Sequence, residues 1–108
     1  MEQDVLQELV DGILAVMQDK LVRIVLYGSV ARGTFTKESD VDVALLMHGG
    51  LDQKTEDALS ELIVDMNLKY DRVFSVIDID FEKFQKWEQV MPFYRNVSRE
   101  GVVLWKAA

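Results

Sequence analysis

The residues of this chain best equipped for chemistry lie between Tyr27 and Leu46, in the stretch YGSVARGTFTKESDVDVALL. Gly28-Ser29 follows an apolar run, ten residues intervene, and Asp40-Val41-Asp42 opens a second apolar run. Side chains alternate along a strand, so Asp40 and Asp42 are expected on one face at its exposed start. Two carboxylates held side by side repel each other, and packing gives no reason for the pair. A divalent cation relieves that repulsion. Hard oxygen donors suit magnesium, which binds through a few carboxylates plus substrate phosphates. The chemistry implied is metal-assisted transfer at a phosphorus atom, with the cation neutralising phosphate charge.

Gly28-Ser29 supplies the complementary half. Glycine lets a backbone approach a phosphate closely. A turn into a short helix aims N–H groups at anionic oxygens. The Ser29 hydroxyl adds a donor, and Arg32 is placed to reach the same phosphates. Singly, each feature has a plainer reading: an ordinary turn, solubilising charges at a strand end, a solvated arginine. In combination, with strand, GS, ten residues and DxD in that order, they point to a phosphate-transfer site.

Several elements must hold these residues. Val5, Leu6, Leu9, Val10, Ile13, Leu14 and Met17 recur at helical spacing and predict an amphipathic helix. LVRIVLY (21–27) predicts a buried strand that delivers Gly28, and residues 28–39 form a polar connection. DVDVALLM (40–47) predicts a second strand, closed by Gly49-Gly50. Asp52 reads as the N-cap of a helix with Ala58, Leu59, Leu62, Ile63 and Met66 inward. RVFSVIDI (72–79) predicts a third strand, with Phe74, Val76, Asp78 and Asp80 on one face and Val73, Ser75, Ile77 and Ile79 on the other. Asp80 is expected to cap a helix that turns Phe81, Phe84 and Trp87 inward. Met91-Pro92 interrupts, a short helix runs to about Arg99, and Gly101 stops it. Val102–Trp105 is expected as an edge strand or a docking tail. The order predicts an α/β (α+β) domain with a small mixed β-sheet and flanking helices.

Composition narrows the classes. The 108 residues suit one domain spanning 1–108. A net charge of −7 disfavours broad nucleic-acid binding, which needs cations for the phosphates, and suits a partner with a basic face. No cysteine is present, which excludes disulfides, thiolate metal sites and cysteine nucleophiles, and makes a reducing cytoplasm the expected compartment. No stretch is apolar enough for a membrane span, and MEQDVLQELV is unlike a signal peptide.

The pattern GS-x10-DxD resembles the signature of the DNA polymerase β-type nucleotidyltransferase superfamily. LYGSVARG followed by SDVDVALL is similar, over essentially the whole chain, to the minimal nucleotidyltransferases (MNT), although many of these carry arginine where this chain has Val30. The resemblance implies transfer of AMP from magnesium-ATP to an acceptor hydroxyl. Asp40 and Asp42 would hold Mg2+, while Gly28, Ser29 and Arg32 would hold the phosphates of ATP. It also implies a third carboxylate from a neighbouring strand. Asp71, Asp78 and Asp80 are the candidates. Asp78 is favoured as catalytic and metal-binding because it interrupts an apolar run. Asp71 has a turn reading and Asp80 a capping one. No acceptor-binding domain accompanies the motif, which fits a partner that brings its own surface. The resemblance implies a HEPN-domain toxin modified on a tyrosine, in a type VII-like toxin–antitoxin pair. Two other classes stay open: a non-catalytic antitoxin that masks its partner, and a nucleotidyltransferase acting on a small molecule such as an aminoglycoside. His48 has no neighbouring ligands and is not assigned a metal. Trp87 and Trp105 read as core or interface, and PFYRNVSREGVVLW as sheet closure, a protein-binding patch or both.

Overall fold

Alternation along β2 (Val41–Met47) decides the architecture, because both faces of this strand are apolar. Val41, Val43, Leu45 and Met47 join one buried cluster, and Ala44 and Leu46 join another. A strand buried on both faces must be central in its sheet. In the computed structural model, which describes residues 3–34 and 39–108, the strand order is β3-β2-β1-β4. β1 (Leu21–Tyr27) pairs antiparallel with β2 and with the edge strand β4 (Val102–Lys106). β3 (Phe74–Asp80) pairs parallel with β2. The sheet is therefore mixed, as expected, and the parallel pair is bridged by a helix, as parallel pairing requires.

Helices cover both faces. α1 (Gln3–Met17) buries Val5, Leu9, Val10, Ile13 and Met17, and α3 (Gln53–Tyr70) buries Leu59 and Met66 in the same cluster. Glu8 ties the two helices, accepting hydrogen bonds from Lys69 Nζ at 2.9 Å and Tyr70 Oη at 2.7 Å. α4 (Phe81–Trp87) and α5 (Pro92–Glu100) cover the other face, where Phe84 and Val97 pack on Val25, Ala44, Leu46 and Ile79. Burying each large apolar side chain contributes about 1.5–3 kcal/mol, which offsets the ordering of these short elements.

Local chemistry matches most boundaries. Asp52 caps α3, accepting a hydrogen bond from Thr55 N at 2.7 Å. Gly101 closes α5, its N–H donating to Val97 O at 3.1 Å. Val102–Lys106 is an edge strand rather than a loose tail. Other boundaries shift. β2 opens at Val41, leaving Asp40 just outside it. β3 runs from Phe74 to Asp80, later than the sequence suggested, because Asp71 still closes α3 with a left-handed φ of 50°. Asp80 ends β3 and occupies the N-cap position of α4, as expected, but its side chain makes no capping hydrogen bond. Of the polar connection after Gly28, residues 28–32 form a short helix, while 35–38 lie outside the described residues.

Candidate active site

β1 runs into the site and β2 leaves it. Tyr27, the last residue of β1, is in register with Asp42, the second of β2. The chain then turns sharply: Tyr27 is extended, Gly28 has φ +76°, and α2 (Gly28–Arg32) begins at once. Gly28 is needed twice over. Its φ lies in the left-handed region that side chains disfavour. A Cβ at this position would also clash with Asp42 Oδ2 and lie 3.2 Å from Asp42 Cγ. The GS turn and the DxD strand are thus packed directly on each other, and Ser29 opens a helix whose first N–H groups have no intrahelical partner.

The strand start is pinned from the other side. Val41 N donates to Val73 O at 2.8 Å, and Arg72 Nη2 donates to Ser39 O at 3.0 Å. Asp40 is exposed and Asp42 half-buried. Burial pushes the Asp42 carboxyl above the ordinary aspartate value, and the charge of Asp40 pushes it further. Arg32 opposes that shift, which places its guanidinium within electrostatic reach of Asp42. The repulsion anticipated from the DxD spacing is therefore present. Tyr27 is likewise raised, by burial first and then by the charge of Asp42.

Gly28, Ser29, Arg32, Asp40 and Asp42 converge on one end of the central strand pair. Asp78 does not join them. It is in register with Leu45, three positions along β2, and is exposed on the sheet face opposite to Asp42. The apolar run it interrupts belongs to an outer strand, so the polar residue needs only solvent. Asp80 lies further away still, in register with Met47. Asp71 closes α3, with its backbone N–H on Asn67 O. The residue in register with Asp42, on the same face, is Ser75, half-buried. Among the described residues no group of three or more His, Cys, Asp or Glu side chains could hold a metal.

Three neighbours were not anticipated. Tyr27 sits beside Asp42, a position that its place just before Gly28-Ser29 could have signalled. Phe93 packs edge-on against Tyr27, with ring centroids 5.6 Å apart. Glu100, at the end of α5, accepts from Arg32 Nη1 at 3.2 Å. The latter two are distant in sequence and carry no local signal. His48 is exposed, its ring 6.0 Å from Phe81. Trp87 is 40% exposed beside Lys86 rather than turned fully inward, whereas Trp105 packs against the larger core cluster.

Two carboxylates beside a glycine turn that opens a helix suit a cation that also binds substrate phosphates, since magnesium uses one or two protein carboxylates in such sites. A model of the nucleotidyltransferase domain matches residues 10–100. The chain belongs to the nucleotidyltransferase domain family. A Methanocaldococcus jannaschii relative, named as a candidate protein adenylyltransferase, is 34% identical over 107 residues, covering 96% of this chain and 98% of its own. A second relative of the same organism and the same kind of name is 35% identical over 74 residues, 68% of this chain and 75% of its own. Among solved structures, this nucleotidyltransferase is similar to a toxin–antitoxin complex with AMP-PNP, at a TM-score of 0.64 and 26% identity over 94% of this chain and 73% of that one. It shares its fold with the Shewanella oneidensis complex of an MNT antitoxin and a tri-AMPylated HEPN toxin, at a TM-score of 0.60 and 22% identity over 99% of this chain and 74% of that one. No helix among the described residues is long and apolar enough to cross a membrane.

Proposed function

We propose that this nucleotidyltransferase moves AMP from magnesium-bound ATP onto a hydroxyl of a partner protein, a tyrosine of a HEPN-domain toxin. It would thereby act as the cytoplasmic antitoxin of a type VII-like pair. The observation that carries the reading is the packing of Gly28 on Asp42, which holds the glycine–serine turn against one carboxylate of the DxD pair. The full-length similarity to a candidate protein adenylyltransferase, and the fold shared with antitoxins of HEPN toxins, support the partner.

Each residue has a part in that reaction. Asp40 and Asp42 would hold the cation, which would supply charge neutralisation on the phosphates. Gly28 lets the chain approach the phosphates, the Ser29 hydroxyl donates to their oxygens, and Arg32 binds the departing pyrophosphate. The acceptor oxygen forms a bond to the α-phosphorus as the bond to the bridging oxygen breaks. Pyrophosphate leaves with the electron pair and the acceptor proton passes to solvent.

The test is the intact mass of a co-purified HEPN-domain partner after incubation with the chain and magnesium-ATP. Whole AMP increments on the partner, absent with Asp42→Ala, support transfer. A stable complex with no mass gain favours a second reading, in which the chain neutralises its partner by masking it. The place of a carboxylate beside Asp42 being taken by Ser75 is the observation that favours that alternative.

A further inference from the structure

The two carboxylates of the DxD pair are held unequally. Asp42 lies inside β2, in register with Tyr27 of β1 and Ser75 of β3, and Gly28 packs against its carboxylate. Asp40 lies just outside β2 and is exposed. The sheet ladder therefore fixes one arm of the site and ends before the other. Two hydrogen bonds nevertheless bracket Asp40. Val41 N donates to Val73 O at 2.8 Å, and Arg72 Nη2 donates to Ser39 O at 3.0 Å. We infer that Arg72 is a positioning residue: through the Ser39 carbonyl it sets the backbone of Asp40, and with it the spacing of the two carboxylates around a divalent cation. The inference rests on the reading of Asp40 and Asp42 as cation ligands and adds to it a residue from the junction of α3 and β3.

The local backbone shows why a side chain is needed there. Asp71 closes α3 with a left-handed φ of 50°. The N–H groups of Asp71 and Arg72 both turn to Asn67 O, the second at 3.3 Å, and Asn67 Oδ1 accepts from Phe74 N at 2.8 Å. The chain entering β3 is thus tied to the end of α3, and its amides at 71 and 72 are not offered to β2. The long arm of Arg72 spans the gap and supplies a donor beyond the point where the ladder stops. Arg72 is half-buried and its Nε is buried, so the guanidinium is held against the protein rather than in bulk water. The charges that act on the Asp42 carboxyl are those of Asp40 and Arg32, so Arg72 works through the Ser39 backbone and not as a counter-ion to Asp42. Leu59 and Met66 anchor α3 in the core. Asn67, Arg72 and Ser39 therefore form a bonded path from a buried helix to the exposed arm of the site. Groups that orient a metal ligand in this way commonly change metal affinity by about 10–100-fold when removed.

Cation affinity separates positioning from bulk stability. Mn2+ binding in the presence of α,β-methylene-ATP is read from the loss of the free-ion electron paramagnetic resonance signal, with urea midpoints alongside. Arg72→Met keeps the apolar stem and removes the donors, and should bind Mn2+ about tenfold more weakly than wild type. Arg72→Lys, which keeps a donor, should recover part of that loss. A folded Arg72→Met chain with wild-type affinity overturns the inference, as does a folded Arg72→Lys chain that binds no better than Arg72→Met. Asp42→Ala tests the underlying reading. Undiminished Mn2+ binding in that variant overturns the cation site and the inference with it, whereas binding lost there but unaffected in Arg72→Met overturns the positioning role alone. A measurement on the wild-type chain needs no variant to fold. Coupling is reciprocal, so Mg2+ with the same nucleotide must tighten the contact between Arg72 and Ser39. Exchange of the Arg72 Nε–H with water, followed by nuclear magnetic resonance, should slow severalfold on saturation, and an unchanged rate overturns the inference.

Discussion

Replacing Gly28 by alanine separates two demands that the site makes on one residue. The first is conformational: φ is +76°, where an L side chain costs about 1–2 kcal/mol. The second is spatial, because the new Cβ would clash with Asp42 Oδ2 and lie 3.2 Å from Asp42 Cγ. Relief requires the carboxylate to move by roughly half to one ångström, or to twist off its rotamer at about 0.5–1.5 kcal/mol. Gly33 is the internal control, since its φ is also +76° and a Cβ there meets nothing within 4 Å. Gly33→Ala should therefore cost about 1–2 kcal/mol and Gly28→Ala about 1.5–3.5 kcal/mol, read from urea denaturation midpoints. Function should divide more sharply. A displacement near 1 Å at a reacting centre can cost about a hundredfold, so Gly28→Ala should lose that much AMP transfer while Gly33→Ala stays close to wild type. Equal stabilities and equal rates for the two variants would refute the idea that the turn is packed against the Asp42 carboxylate.

Further expectations follow from the same geometry. Arg32 and Glu100 form a pair with side chains 47% and 44% exposed, so Glu100→Gln should change stability by under about 1 kcal/mol. If Arg32 binds phosphate, freeing it should tighten ATP binding severalfold by calorimetry, an effect that must vanish in an Arg32→Ala background. Asp78→Asn, on the far face of the sheet, should leave AMP transfer unchanged, and a large loss would show that the register misplaces the third carboxylate. Hydrogen bonds from Thr55, helped by Lys20, hold Asp52 down at about 2, from the usual 3.8. A lowered folded-state value means that its contribution is complete above about 3.8 and is lost as pH falls towards about 2, a loss that acid titrations of Asp52→Ala should lack. Phe84→Ala, at a site only 2% exposed, should cost about 3–5 kcal/mol by chemical denaturation, and under 1 kcal/mol would mean that the α4–α5 layer is not packed on the sheet.

Local patterns carried much of this molecule. The spacing of Leu9, Ile13 and Met17 gave α1, and the apolar run 21–27 ending in glycine gave β1. The Asp52 cap and the Gly101 stop are written in residues adjacent to the ends they serve. The core of the site was legible for the same reason, since Gly28, Ser29, Asp40 and Asp42 lie within one strand–turn–strand unit. Strand register was not legible. Sequence separates Ser75 and Asp78 onto opposite faces of β3, but only pairing with β2 reveals which face Asp42 occupies. Asp80 takes the N-cap position of α4 as expected, but it also ends β3 and its side chain makes no capping hydrogen bond. Glu100 and Phe93 reach the site from α5, and contacts of such sequence separation leave no periodic trace.

The central claim is that Gly28, Ser29, Asp40 and Asp42 transfer an adenylyl group to a protein acceptor. It is tested most directly by offering the chain and a HEPN-domain partner two batches of magnesium-ATP, one labelled at the α-phosphorus and one at the γ-phosphorus. The α label alone should appear on the partner, and Asp42→Asn should abolish it. Label from the γ position, or α label that survives Asp42→Asn, would contradict the assignment.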